Sequence, residues 1–190
     1  MKITIKSAFI TIKTIIITFL ACLTIFNGFA QEEENQGLKG ASWTLGQLQF
    51  TDSEADDTST FTILPVVGTF VSPTVTIGLG LGYTSTKVGD ADVADAFIVM
   101  PLVRNYWGIN DKLYIFGQAD VPMMFFDDAT ACGFNVRPVI DYFLSGKVTI
   151  EATFGQFGYN AVKPRDGDAV GTTSLGFNLM EVNFSIKLIL

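Results

Sequence analysis

Three segments of the chain repeat one pattern: FTILPVVGTFV at residues 61–71, FIVMPLVRNYW at residues 97–107 and FNVRPVIDYFL at residues 134–144. Each begins with Phe and carries a proline at its fifth position, at Pro65, Pro101 and Pro138. The alternation of apolar and other side chains along the third segment is the pattern of a β-strand with two different faces. Because the prolines lie 36 and 37 residues apart, we interpret the repeating unit as a hairpin of two strands.

Outward from these segments the sequence predicts eight strands, which cover residues 40–50, 60–71, 74–83, 95–107, 112–124, 132–144, 147–159 and 173–190. Short connections at 72–73, 108–111 and 145–146 alternate with long ones at 51–59, 84–94, 125–131 and 160–172. An even number of strands with short turns at one end and long loops at the other is typical of barrels in the outer membrane. We therefore expect an all-β fold, an eight-stranded antiparallel up-and-down transmembrane β-barrel over residues 40–190.

The first thirty residues resemble an export signal and are predicted to be a cleavable signal peptide. Three lysines precede an apolar run at residues 15–26, and the small residues of Gly28-Phe29-Ala30 predict cleavage between Ala30 and Gln31. The apolar run is shorter than the roughly 20 residues of a membrane-spanning helix. An uncleaved anchor and a lipoprotein modified at Cys22 remain as weaker alternatives. Residues 31–39 then form a polar lead-in to the barrel.

The sixth predicted strand indicates which face points into the barrel. Val136, Pro138 and Ile140 share one side, whereas Arg137 and Asp141 lie on the other. With the polar side inward, the alternation predicts a charged network in the lumen that consists of Arg104, Asp120, Arg137, Asp141, Glu151, Glu181 and Lys187, with Gln118 and Asn135 beside it. An eight-stranded barrel is only wide enough for its side chains to fill, so we expect these charges to be paired in a packed plug.

Aromatic side chains gather near both ends of the predicted strands, which is typical of the two girdles of a membrane barrel. The set at the short-turn end is Phe70, Tyr106, Trp107, Tyr142 and Phe143. The set at the long-loop end is Phe50, Phe61, Tyr83, Phe97, Phe125, Phe126, Phe134 and Tyr159. Between them, Gly78, Gly80 and Gly82 share one face and are interpreted as small residues that leave lumen space for bulky neighbours.

Composition excludes several kinds of chemistry. The chain has no histidine, which removes Ser-His-Asp and Cys-His nucleophilic sites and histidine-based metal sites. Loss of residues 1–30 would change the net charge from −7 to −10, with nine basic against 19 acidic residues, so nucleic acid is not expected as a partner. The acidic residues concentrate in the predicted long loops. Among them Asp90, Asp92 and Asp95 are weak candidates for a calcium site, and no other cofactor is expected.

The repeated F-x-[IV]-x-P-[VL]-[VI]-x-x-[FY] strands, the intervening strands VTIGLGLGY and VTIEATFGQFGY, and the signal that ends in Ala30-Gln31 resemble the outer-membrane β-barrel domain proteins of Bacteroidetes-type bacteria. These are small eight-stranded barrels of the general OmpA/OmpX kind, and the resemblance covers nearly all of residues 40–190. It implies a place in the outer membrane of a Gram-negative bacterium, with the N-terminus periplasmic and the long loops extracellular. Members of this kind usually end on an aromatic residue that the barrel-assembly machinery recognises, whereas this chain ends in Leu190.

The function expected from the sequence is that of a small integral outer-membrane protein without catalysis, which acts structurally or in surface interactions through acidic extracellular loops. Its expected partners are outer-membrane lipid, the barrel-assembly machinery and an unidentified extracellular partner. Three alternatives stay open: a narrow channel or minor porin, a membrane enzyme acting on lipid, and a soluble lipocalin-like ligand-binding barrel. The sequence offers no explanation for three prolines in a closed sheet beyond local bulges.

Overall fold

The structure is a computed structural model that describes residues 38–53, 57–89, 91–177 and 182–190, with only the backbone described at 91–93. The predicted signal peptide, its cleavage point at Ala30 and Gln31, and residues 31–37 lie outside the described residues. The described residues form eleven strands: β1 (Ser42–Ser53), β2 (Thr58–Phe70), β3 (Val75–Val88), β4 (Ala91–Gly108), β5 (Leu113–Asp120), β6 (Met123–Phe126), β7 (Ala129–Phe143), β8 (Val148–Thr153), β9 (Gly155–Pro164), β10 (Val170–Phe177) and β11 (Asn183–Ile189). No helix in the described part of the chain is long and apolar enough to cross a membrane.

The strands form a closed antiparallel barrel of eight staves, where a stave is one complete crossing of the barrel wall. Five staves are the single strands β1, β2, β3, β4 and β7, and three are split into β5–β6, β8–β9 and β10–β11. Staves that follow one another in the chain pair with each other, and β1 closes the ring on β11. The predicted all-β fold, an eight-stranded antiparallel up-and-down barrel, is confirmed.

The strands extend further than predicted at the end where the sequence predicts long loops. Only residues 89–90 separate β3 from β4, and only residues 127–128 separate β6 from β7. The predicted loops at 51–59, 84–94, 125–131 and 160–172 are therefore wrong in extent, because much of each is strand. Threonines explain the difference: they are polar but β-branched, and the hydroxyl groups of Thr62 and Thr84 lie 2.8 Å apart across the β2–β3 ladder.

The opposite end is closed by three turns of one design, as the predicted tight connections require. The side-chain oxygens of Ser72, Asn110 and Ser145 each accept hydrogen bonds from the backbone N–H groups two and three residues later. Each turn also has two successive backbone N–H groups that donate to the carbonyl at the start of the next strand. Local side-chain acceptors of this kind favour tight turns. The repetition of the strands therefore extends to the turns that join them.

Burial alternates along the staves and separates two chemically different faces. On β4, Ile98, Met100 and Leu102 are buried, whereas Phe97 and Trp107 on the other face are more than half exposed. Phe97 and Trp107 are ten residues apart, which at about 3.4 Å per residue and a tilt near 45° corresponds to a height of roughly 24 Å. The outward face between these two levels carries no charged side chain on any stave in the described residues.

The aromatic girdle predicted at the short-turn end is only partly correct. Phe70 and Tyr106 are 3% and 4% exposed and belong to the core of the barrel, and Phe143 packs against that core. Trp107 and Tyr142 are exposed on the outward face. The error arises because Tyr106-Trp107 and Tyr142-Phe143 are sequence neighbours, and neighbours on a strand point to opposite faces.

The three prolines lie on the outward face. Each stave that carries a proline pairs with two neighbouring staves, and the proline interrupts one of these two ladders. Pro65 pairs with Gly46, Pro101 with Leu79 and Pro138 with Gly117 on the preceding stave. The ladder to the following stave is interrupted at each proline, where a backbone donor is missing. Of the three prolines, Pro138 alone lies beside a register shift, where residues 154–156 oppose residues 137–138, so one bulge accounts for one proline and simple gaps account for the other two.

Candidate functional site: a charged lumen with a lateral cavity

Three linked ion pairs form the most buried part of the lumen. Glu151 Oε1 accepts from Arg104 Nη1 at 2.8 Å and from Lys187 Nζ at 3.1 Å, and Lys187 Nζ also donates to Asp141 Oδ2. The Tyr106 hydroxyl lies 3.2 Å from Lys187 Nζ. We call Arg104, Tyr106, Asp141, Glu151 and Lys187 the inner cage. Its side chains are almost completely shielded from solvent, and two cations balance two acids, so a buried charge is not left alone.

Aromatic rings pack against the inner cage. The Arg104 guanidinium carbon lies 4.2 Å from the centre of the Trp43 ring and 4.7 Å from that of Phe116, which are cation–π distances. Trp43 Nε1 donates to Thr76 Oγ1 at 2.6 Å, so its polar atom is satisfied within the barrel. A Cβ at Gly68 would overlap the Trp43 indole, which explains why the neighbouring strand needs a residue without a side chain there.

A second polar group of side chains continues from the inner cage toward β9. Arg104 Nε donates to Gln118 Oε1 at 2.9 Å, and Gln118 Nε2 donates to Asp120 Oδ2 at 2.8 Å. Asp120 also accepts from Asn135 Nδ2 at 3.0 Å and from Arg137 Nη2 at 3.4 Å. We call Gln118, Asp120, Asn135 and Arg137 the outer wing. Unlike the inner cage, it includes a cation whose side chain is 29% exposed, at Arg137.

The structure brings together six of the seven residues predicted for the lumen network. Arg104, Asp120, Arg137, Asp141, Glu151 and Lys187 all point inward and are linked by hydrogen bonds or ion pairs, with Gln118 and Asn135 between them. Glu181 lies outside the described residues.

Sequence reasoning missed two members of this interior. From the sequence, Tyr106 is placed in an aromatic girdle. Arg104 lies two residues earlier and points inward, so the alternation places Tyr106 inside as well. Gln156 donates to Asn135 Oδ1 at 3.0 Å, but the alternation that places Glu151 inside would place Gln156 outside. The bulge at residues 154–156 reverses the parity, and no local signal in the sequence marks it.

A cavity of about 1260 Å³ lies beside the polar network. Its lining combines apolar side chains of β2 and β4 with polar side chains of β5, β7 and β8. Its apolar side includes Leu64, Val66, Met100 and Leu102, and its polar side includes Arg137 and Gln156. Its lining also includes Leu48, Phe184 and Ile186, which point outward, so the cavity reaches the outer face between β1 and β11.

The acidic residues at the long-loop end do not form a recognisable metal site in the described side chains. Asp95 is exposed on β4 and lies opposite Ser85 in the β3–β4 ladder. Asp90 and the side chain of Asp92 lie outside the described residues, so the weak calcium prediction stays a prediction. Among the side chains that are described, no three acidic, cysteine or histidine groups come together as metal ligands.

Comparison with known proteins adds no assignment. No protein-family model matches the chain, and no curated protein is significantly similar to it.

Proposed function

We propose that the protein is a small integral outer-membrane β-barrel that acts structurally or in surface interactions through acidic hairpins at its long-loop end, without catalysis. The observation that carries the proposal is the outward band between the levels of Phe97 and Trp107, which carries no charged side chain in the described residues. Large apolar side chains are exposed on every stave, among them Leu48, Leu79 and Phe134, while six charged side chains of the described part of the chain face the lumen. Soluble monomers rarely expose contiguous apolar patches above a few hundred Å², whereas a lipid bilayer covers such a band.

The aromatic residues of the long-loop end support the same environment. Phe50 pairs with Phe61, Tyr83 with Phe97, and Phe97 in turn with Phe125 on the outward face. Rings at one level of a barrel are typical of the interface between hydrocarbon and headgroups. A soluble lipocalin-like barrel would need polar side chains at these positions.

The filled short-turn half of the lumen argues for a structural role over a wide channel. The inner cage and the rings of Trp43, Phe116 and Phe70 occupy the short-turn half of the barrel with buried side chains. A porin-sized passage would need this space to be filled with water. The hairpins at the other end project beyond the aromatic level and carry acids such as Asp127 and Asp128, and exposed connections of this kind commonly carry recognition.

Fractionation followed by electrophoresis tests the membrane assignment. The full chain, expressed in a Gram-negative host, should appear in the outer-membrane fraction, and unboiled protein should migrate differently from boiled protein. The ring of strand pairs, which β1 and β11 close, should hold the barrel together in detergent until it is heated. Recovery in the periplasm, or identical migration together with little strand signal in circular dichroism, would contradict the proposal.

Epitope insertion tests the proposed orientation. A tag between Asp166 and Gly167, in the exposed connection between β9 and β10, should be tolerated and reach antibody on intact cells. A matched tag between Ser145 and Gly146, in a short turn at the opposite end, should reach antibody only after lysis. The reverse result would invert the topology.

A further inference from the structure

The closure of the barrel between β1 and β11 is short. Their ladder joins Trp43 to Ile189, Thr44 to Leu188 and Leu45 to Lys187, and it does not continue among the described residues. On its other side β1 remains paired with β2 from Ser42 to Ser53. In the described part of the chain, residues 46–49 of β1 therefore have ladder partners only on β2, and a lateral opening separates them from residues 183–186 of β11. Gln47 and Gln49 lie on the inward face at this opening and are nevertheless exposed.

The neighbouring stave of β8 and β9 is irregular at the same level. Thr153 pairs with Asn183 and Gly155 pairs with Phe177, and Phe154 between them belongs to neither strand. Phe154 also belongs to the bulge beside Pro138. Regular ladder geometry is therefore lost at Phe154, close to the edge of β1 at residues 46–49 that has no β11 partner in the described part of the chain.

The cavity behind this opening has two chemically different walls. Leu64 and Val66 of β2, with Met100 and Leu102 of β4, form an apolar strip. Gly80 makes room for this strip, since its missing side chain leaves space for Leu64 Cδ1 and Met100 Cε at 3.2 and 3.3 Å from an ideal Cβ. The facing wall is polar and includes Arg137 and Gln156. A volume of about 1260 Å³ exceeds the roughly 300–1,000 Å³ that small-molecule sites commonly occupy.

Arg137 is the cation on that polar wall whose hydrogen-bonding capacity is least used. Its one ion pair, from Nη2 to Asp120 Oδ1, is 3.4 Å long, and Nε is buried without a partner in the described structure. Asp120 also accepts from the amides of Gln118 and Asn135, so its oxygens are shared and its contact with Arg137 is long. Glu151 also lines the cavity, but it is bound by both Arg104 and Lys187.

We propose that this cavity binds a single-chain anionic amphiphile, which enters from the membrane between β1 and β11 and places its headgroup on Arg137. The inference rests on the proposed function, because the lateral opening faces lipid only if the barrel is embedded. The chain lies along the Leu64–Val66–Met100–Leu102 strip, where apolar contact is favourable. The carboxylate or phosphate accepts from the Nη groups of Arg137, since Nε is shielded from the cavity, and an oxyanion suits the planar donor fork of arginine.

Tryptophan fluorescence can report occupancy of the cavity separately from contact with bulk lipid. The chain has two tryptophans: Trp107 points outward, and buried Trp43 lies beside Leu102 of the apolar strip. Trp107→Phe therefore leaves the buried indole as the single reporter. This protein in phosphatidylcholine vesicles is titrated at alkaline pH with dibromostearate, with its methyl ester, and with a brominated lysophosphatidic acid.

We expect saturable quenching of Trp43 by the anionic probes, reversed by unbrominated stearate, and only weak, non-saturating quenching by the ester. Saturable quenching by dibromostearate alone identifies a carboxylate as the headgroup, and quenching by the lysophosphatidic acid alone identifies a phosphate. Quenching by both probes shows that the site accepts either oxyanion. Arg137→Gln in the same background should weaken binding at least about tenfold, since a charge-assisted hydrogen bond is lost. Arg137→Lys should retain part of the affinity, and the exposed Arg165→Gln should change nothing.

Equal quenching by acid and ester, or unchanged binding in Arg137→Gln, would overturn the proposal. Vesicle flotation and the boiling-dependent gel shift are measured on the same preparations. Protein that fails to float or shows no shift would contradict the membrane assignment itself. Protein that inserts and shifts normally but gives no saturable quenching would contradict the ligand site alone.

Discussion

Side chains fill two parts of the lumen to different extents, although both parts are built from the same kinds of strand. One part is the short-turn half, and the other is the side beneath β1 and β11. In the first, Trp43, Phe116 and the inner cage leave almost no exposed side-chain surface. In the second, the inward-facing Gln47 and Gln49 are exposed, and a cavity of about 1260 Å³ reaches the outer face. The difference teaches that an eight-stranded barrel is filled only where its ladders are regular and its side chains complement one another.

Glycines provide the space into which the large side chains of the packed half fit. Gly68 and Gly78 leave space for the Trp43 indole, and Gly80 leaves space for Leu64 and Met100. These glycines lie on β2 and β3, which keep one register although their ladder is interrupted at Pro65. The opening lies on the far side of β1, next to the bulge beside Pro138. The packed part of the interior therefore lies where the strand register is kept.

The largest expected effect comes from breaking the inner cage. Lys187→Met removes the cation shared by Asp141 and Glu151 and should lower the free energy of unfolding by about 3–5 kcal/mol, because a buried acid is left unpaired. Urea titration of protein in vesicles measures the change. Leu188→Met, one residue along on the outward face, is the matched control and should have little effect. A similar loss in both variants would show that the cage does not stabilise the closed half.

An intermediate effect is expected from crowding the packed half. Gly68→Ala places a methyl group against the Trp43 ring and the Ile77 carbonyl, and overpacking of this kind costs roughly 1–3 kcal/mol. Gly46→Ala on the adjacent strand meets nothing closer than Pro65 Cα at 3.9 Å and should stay within about 0.5 kcal/mol of the parent. The temperature at which half of the protein changes its migration on the gel measures the stability of each variant. If Gly46→Ala were the more damaging variant, the assignment of inward and outward faces on β1 and β2 would be wrong.

The smallest effect is expected in the outer wing. Arg137→Leu would cost several kcal/mol if the guanidinium were fully buried, but its side chain is 29% exposed and its ion pair is 3.4 Å long. We therefore expect a loss of about 1 kcal/mol, well below that of Lys187→Met. Val136→Leu on the outward face should be nearly neutral in the same unfolding assay. Equal effects at positions 136 and 137 would mean that the two faces are reversed.

Much of the fold could be predicted because it depends on short-range patterns. Alternation on the segment at residues 134–144 identifies the two faces, and turn-forming residues such as Ser72, Asn110 and Ser145 identify the tight ends. The extent of the other ends could not be predicted in the same way. There the polarity of the threonines and acids indicates loops, but cross-strand pairing extends the sheet through them.

The candidate site was predictable in its membership and not in its geometry. Parity along single strands selects Arg104, Asp120, Asp141, Glu151 and Lys187 as inward residues. The alternation along a strand does not indicate which carboxylate pairs with which cation. The ion pairs join staves that are far apart in the chain, such as β4 with β8 and β7 with β11. The inward position of Gln156 depends on a bulge, which is set by the neighbouring strand.

The sequence by itself determined the class of fold, the two faces of each strand and the set of charges that the barrel must enclose, since strand periodicity and turn chemistry act over a few residues. Only the tertiary structure decided how the ring closes. Closure depends on the register between β1 and β11, the first and last strands of the barrel, and on a shift of one residue beside Pro138. These properties belong to pairs of distant strands, so the short ladder, the lateral opening and the incompletely paired Arg137 could be recognised only once the barrel was assembled.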